Sequence, residues 1–201
     1  MTGRGRPRSF DRTKALARAM ELFWARGYNG TSITDLTSAM GINPPSLYAA
    51  FGSKAQLFQE AVALYGEIEG APVWKPLKEA PTAREAVAGF LRASATAFAR
   101  RGKPRGCLVI LGALHANETN MDVCRRLRSL RARNLSLLEE RLRHGVAGGE
   151  LPRDLDCRAV ARFVMAVQQG MSIQARDGAS PEDLASIAEV ALAILGEPLT
   201  G

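Results

Sequence analysis

Residues 31–51 read TSITDLTSAMGINPPSLYAAF, two short amphipathic segments separated by Gly41 and Ile42. In the first, Ile33, Leu36 and Met40 recur at i, i+3, i+7 and place apolar groups on one side of a helix. In the second, Leu47 and Phe51 stand four apart and anchor that helix inward. Gly41 tolerates the positive φ that a sharp turn between the two requires. Pro44 and Pro45 precede SLYAAF directly, although proline breaks a helix interior. With Asn43 as N-cap they fall at N1 and N2, where the missing amides have no intrahelical acceptor and proline's φ suits a helix start. Asn43 then caps the Ser46 amide. The pattern is a helix-turn-helix whose stiffened second helix is free to enter a DNA major groove.

Outward from this stretch the chain is helical throughout. Leu16, Met20 and Phe23 form an apolar stripe that Gly27 closes, and Leu57, Ala61, Leu64, Tyr65 and Ile68 form another. Val87, Phe90, Leu91 and Phe98 continue the series, followed by Val160, Phe163, Val164, Val167 and Met171, then Leu184, Ile187, Ala191, Ile194 and Leu195. Thr82 with Glu85 makes a capping box, Ser53–Gln56 and Ser32–Asp35 offer similar ones, and Ser180-Pro181 marks the last helix start. No period-2 strand pattern is present, so the expected class is all-α with about nine helices. Residues 70–81, GAPVWKPLKEAP, hold three prolines and read as a loop near a domain boundary, packed in part through Trp74. KPRG at 103–106 and GGELPRD at 148–154 are further breaks.

The 201 residues are 46% hydrophobic and 23% charged, a globular composition, with a net charge of +7. Residues 1–54 carry Arg4, Arg6, Arg8, Arg12, Lys14, Arg18, Arg26 and Lys54 against Asp11, Glu21 and Asp35, so most of the excess lies in the first quarter. An anionic partner is expected there. No apolar run approaches the length of a membrane span, and no apolar stretch follows the basic start, so no membrane partner and a cytoplasmic location are expected. Cys107, Cys124 and Cys157 fit neither a disulfide framework nor a metal-ligand spacing, and read as reduced thiols.

Residues 10–65 resemble the DNA-binding domain of TetR-type transcription regulators. The resemblance is carried by LFWARGYNGTSITDLTSAMGINPPSLYAAFGSKAQLF at 22–58, above all by G-Y-x-x-T-S-I-x-D-L and L-Y-x-x-F-x-S-K-x-x-L. RGCLVILGALH at 105–115 also looks like a sixth-helix segment of some members. The resemblance implies a homodimeric, ligand-released repressor that binds a near-palindromic double-stranded operator. It implies a helix-turn-helix domain at 9–54 and a helical regulatory and dimerisation domain at 55–201. Asn43, Pro44, Pro45, Ser46, Tyr48 and Ala49 would then face DNA, Thr31 and Ser32 would offer hydroxyls or amides to one phosphate, and Lys54 would pair with another. Many members carry a basic residue near Pro44 and a histidine near Ala50. Here base readout should lean on apolar contact, Tyr48, backbone groups and DNA shape.

The arm 1–8 adds GRGRPR, whose Arg4, Arg6 and Arg8 resemble a minor-groove AT-hook core, though a solvated tail explains them too. Tyr48 and Lys54 also admit readings as a half-buried support and a solvated surface lysine. Phe90, Phe98, Cys107, Leu111, Leu114, Phe163, Met165 and Met171 are candidates for an effector pocket, with His115 and Gln168 orienting an unidentified small molecule; core packing accounts for the same residues. Cys107 stands near a helix start after Lys103 and Arg105, which would lower its pKa and make a thiol-sensing repressor the alternative; a small core residue is the plainer reading. Arg125, Arg126, Arg128, Arg131 and Arg133 read as a solvated helix face. Dimerisation is expected through the last two long helices, around 157–175 and 181–196, whose small residues allow close approach. Neither a catalytic constellation nor a metal or cofactor motif appears, so an enzyme is not expected. A nonspecific DNA-organising protein would share the basic first quarter and remains the rival from another class.

Overall fold

The computed structural model describes residues 10–118 and 120–196, and among them no strand occurs. Arg4, Arg6 and Arg8 lie outside the described residues. The helices are α1 (Arg12–Arg26), α2 (Ile33–Met40), α3 (Pro44–Phe51), α4 (Lys54–Tyr65), α5 (Ala71–Glu79), α6 (Ala83–Phe98), α7 (Leu108–Leu111), α8 (Met121–Ala147), α9 (Cys157–Asp177) and α10 (Pro181–Gly196). Apart from the single turn α7, these match the expected count, and α4 runs into α5 through a π-helical turn, Gly66–Gly70.

The caps explain the boundaries. Gly27 ends α1 at φ 71° and Gly41 ends α2 in the left-handed region at φ 70°. Ser32–Asp35 and Thr82–Glu85 form complete capping boxes, and Ser180 and Asp183 do the same for α10. Ser53 accepts from the Gln56 amide at 3.1 Å.

The expected loop at 70–81 is instead helix α5. Pro72 sits in its first turn, where proline costs little, and Pro76 lies inside it. Packing overrides the interior proline: Val73 and Leu77 are buried, and the Trp74 ring stands 4.7 Å from Phe90. Pro76 rests on Gly89 of α6, where an added Cβ would come within 2.6 Å of the proline ring.

The apolar interior divides into two clusters. The first joins α1–α4 to Leu108, Ala113, Val123, Cys124 and Leu127, so α7 and the start of α8 pack on the N-terminal helices. Phe23, Phe58 and Tyr28 form its aromatic centre, with Phe23 edge-on to Phe58 at 5.0 Å. The second cluster is built from α5, α6, α9 and α10 with Leu138 and Leu142 of α8. No helix among the described residues is long and apolar enough to cross a membrane.

Candidate nucleic-acid interface

On α3, Leu47 is fully buried and Phe51 nearly so, which turns the opposite face outward. Asn43, Pro44, Pro45, Tyr48 and Ala49 are exposed and Ser46 half-exposed, so the structure assembles on one surface the α3 positions expected to face DNA. The Asn43 side chain accepts from the Ser46 amide at 2.9 Å, and its own amide group is left at the surface. Backbone groups offer less than expected. N1 and N2 are prolines without N–H, and the N3 amide is spent on Asn43, which leaves the Asn43 N–H as the backbone donor of this turn. Readout here falls mainly to side chains.

The end of α2 departs further. Thr31 is fully buried and its hydroxyl donates to the Gly27 carbonyl at 2.7 Å, which corrects its expected role as a phosphate ligand. Ser32 is exposed, but its hydroxyl donates to Asp35 Oδ2 at 2.6 Å and its amide to the same oxygen at 2.9 Å. These bonds hold the Asp35 carboxyl below its usual range, with Arg26 at 3.2 Å assisting. The amides of Ile33 and Thr34 are left as the donors of that helix end.

Lys54 opens α4, and its ammonium lies 4.2 Å from the Tyr28 ring centroid. Partial burial lowers its pKa, opposed by the Asp35 carboxylate. The ring face holds the half-exposed ammonium at the start of α4. Three other cations of the first quarter are committed: Arg12 to Glu60 at 2.8 Å, Lys14 to Asp11 at 3.5 Å and Arg26 to Asp35. Among the described residues of that quarter, Arg18 and Lys54 have no carboxylate within ion-pair distance.

Between α2 and α3 lies an open hollow of about 670 Å³, lined by Phe10, Thr34, Thr37, Ser38, Gly41, Ile42, Asn43 and Ser46. Thr34 and Ser38, exposed at i, i+4, were missed in the sequence reading. Their position opposite the Ile33–Leu36–Met40 stripe was the available signal.

The expected pocket residues scatter. Leu114 is 54% exposed, Phe163 is 36% exposed and His115 also lies at the surface, so these three do not line an interior cavity. Phe90, Phe98, Met165 and Met171 are buried in the second cluster, with Leu111 packed at its edge. Gln168 is buried among them and donates to Ser94 Oγ at 3.3 Å. The surroundings of Cys107 favour the small core residue over the alternative of an activated thiol. α7 is a single turn with little dipole, and burial pushes the thiol above its ordinary range despite the opposing Tyr65 hydrogen bond. No cluster of His, Cys, Asp or Glu that could hold a metal ion occurs among the described residues. In the α8 cluster, Arg125, Arg126, Arg128 and Arg133 are exposed as expected, whereas Arg131 reaches back to the Val109 carbonyl at 2.8 Å.

Residues 15–61 match the family described as bacterial regulatory proteins, tetR family, and residues 83–190 match the tetracyclin repressor-like C-terminal domain. The HTH-type transcriptional repressor ComR of Escherichia coli (strain K12) is 37% identical over 195 residues, covering 96% of this chain and 93% of the relative. The HTH-type transcriptional repressor BdcR of the same strain is 32% identical, covering 93% and 90%. A solved structure of a cysteine mutant of the TetR family transcriptional regulator CifR, complexed with 26bp double-strand operator DNA, is similar at a TM-score of 0.89. It shares 46% identity and covers 94% of this chain and 98% of that one.

Proposed function

This chain belongs to the TetR family of bacterial transcription regulators, and from that premise we propose that it is a homodimeric repressor of a near-palindromic operator, released by a small effector. The observation that carries the reading is the outer face of α3, where Asn43, Pro44, Pro45, Tyr48 and Ala49 stand exposed on a helix held from behind by Leu47 and Phe51. Residues 9–54 read DNA, and 55–201 dimerise and take the effector. Two copies of α3 related by a two-fold axis enter successive major grooves, so the operator mirrors that symmetry. Asn43 supplies the polar base contact, Tyr48 and Ala49 make apolar contact with thymine methyls, and Lys54 and the Ile33 and Thr34 amides beside Ser32 meet flanking phosphates. The arginines of the arm extend the contact into a minor groove. The relatives support this reading through a repressor description and an operator-bound structure.

Dimerisation falls to α9 and α10, which expose Phe163, Ile173 and Val190. The effector enters the second cluster beside the buried Gln168–Ser94 pair, a polar point in a largely apolar interior. Release requires an effector that favours the conformation not bound to DNA.

Selection of bound fragments from random duplex DNA tests the reading. A repressor enriches one near-palindrome, whereas a nonspecific DNA-organising protein enriches none. Failure to enrich would reject sequence-specific repression.

A further inference from the structure

Arg105–Gly112, the segment marked in the sequence by RGCLVILG, is gripped from two sides. On the α9 side, the Cys107 amide donates to Ser172 Oγ at 2.9 Å. Gly106, at φ +76°, lies so close beneath Ser172 that an added Cβ would come within 2.6 Å of its carbonyl oxygen. On the α1 side, the Trp24 indole donates to the Gly106 carbonyl at 2.8 Å, and the Tyr28 amide donates to the Gly112 carbonyl at 2.8 Å. One side chain spans both grips. Arg176, in the last turn of α9, donates from Nη2 to the Trp24 carbonyl and from Nη1 to the Ala25 carbonyl, each at 2.8 Å. Its Nε reaches the Arg105 carbonyl at 3.1 Å.

The Trp24 and Ala25 carbonyls belong to the last turn of α1, which lacks intrahelical donors and carries the negative end of the helix dipole. A guanidinium there satisfies them and stays charged despite partial burial. Apolar contact between the two clusters is non-directional and tolerates sliding, but a rigid fork bound to two separate segments does not. α9 also carries the exposed Phe163 and Ile173, with the half-buried Val167 and Gly170 between them, so Arg176 ends the helix assigned to the dimer contact.

We propose that Arg176 is the positioning residue that locks α1, and with it the recognition helix, to α9, and so sets the separation of the two recognition helices in the dimer. The inference rests on the repressor reading above. Through this lock, a shift of α9 moves α1 directly, with Arg105–Gly112 as the wedge between them.

The test uses the full chain and the operator recovered by selection, prepared also with its half-sites moved one base pair closer or further apart and as an isolated half-site. Wild-type protein discriminates among the spacings. Arg176→Ala should lower the affinity ratio of best to altered spacing by about fivefold or more, the floor of typical inter-site couplings. Half-site affinity, helicity and dimer mass should be unchanged. A merely destabilising change would weaken every duplex alike and leave the ratio intact. Trp24→Phe, which removes the indole donor, should shift the ratio in the same direction and decides the matter if Arg176→Ala does not fold. Arg176→Lys keeps the charge without the fork and should remain closer to Arg176→Ala than to wild type. An unchanged spacing ratio in a folded, dimeric variant overturns the lock. Absence of any selected palindrome with wild-type protein instead overturns the repressor reading.

Discussion

Lys54 and Thr31 border the same surface, yet one presents its charge against an aromatic ring and the other hides its hydroxyl in the core. Their substitutions should therefore give opposite signatures. Lys54→Ala removes the proposed phosphate contact and should flatten the plot of log affinity against log salt by about 0.9. It also loses the ammonium over Tyr28, a stability cost of about 0.5–1 kcal/mol. Thr31→Val keeps the shape, leaves the Gly27 carbonyl without its partner and should cost about 1 kcal/mol of stability. Its salt slope and operator affinity should match wild type. Anisotropy titrations at several salt concentrations, paired with urea melts, separate the two. A changed slope for Thr31→Val would restore that residue to the phosphate contacts, and an unchanged slope for Lys54→Ala would remove Lys54 from them.

α5 shows what a helix owes to its neighbours. Its two prolines argue against it locally, and the buried Val73, Leu77 and Trp74 hold it against α6. Gly89 makes this packing possible, so Gly89→Ala tests it. Alanine is the better helix former by about 1 kcal/mol, but its Cβ would meet the Pro76 ring at 2.6 Å. Overpacking costs about 1–3 kcal/mol, and a ring braced inside a helix yields little, so the urea midpoint should fall. A raised midpoint would show that α5 moves aside. The same contrast explains what could be read in advance. α2 and α3 were legible because their caps, turn glycine and apolar spacing are local signals. α5 was not, because its stabilising contacts come from residues outside its own segment. Thr31 misled because its acceptor, the Gly27 carbonyl, lies in a turn that hydrophobic spacing does not describe. Phe163 misled because α9 is apolar on two sides, and periodicity does not say which side meets the core.

At the scale of the molecule, that second apolar side is the argument for a pair. Phe163, Ile173 and Val190 are 36%, 48% and 60% exposed, beside the small Ala166 and Gly170 that would let a second copy approach. A lone copy leaves these side chains in water; burying a large aliphatic or aromatic side chain contributes about 1.5–3 kcal/mol. A dimer also explains how a short, uncharged recognition face can hold an operator. Once one half-site is bound, the second binds at an effective concentration set by the linkage, raising affinity by about 10²–10⁴ without new contacts. Phe163→Glu would place like charges in the proposed interface, where they lose water without gaining a partner. Light scattering should then report a monomer with native helicity. Operator affinity should fall by about 10²–10⁴ while half-site affinity holds, because only the linkage is lost. A Phe163→Glu protein that stays dimeric at micromolar concentration would move the interface off this face of α9.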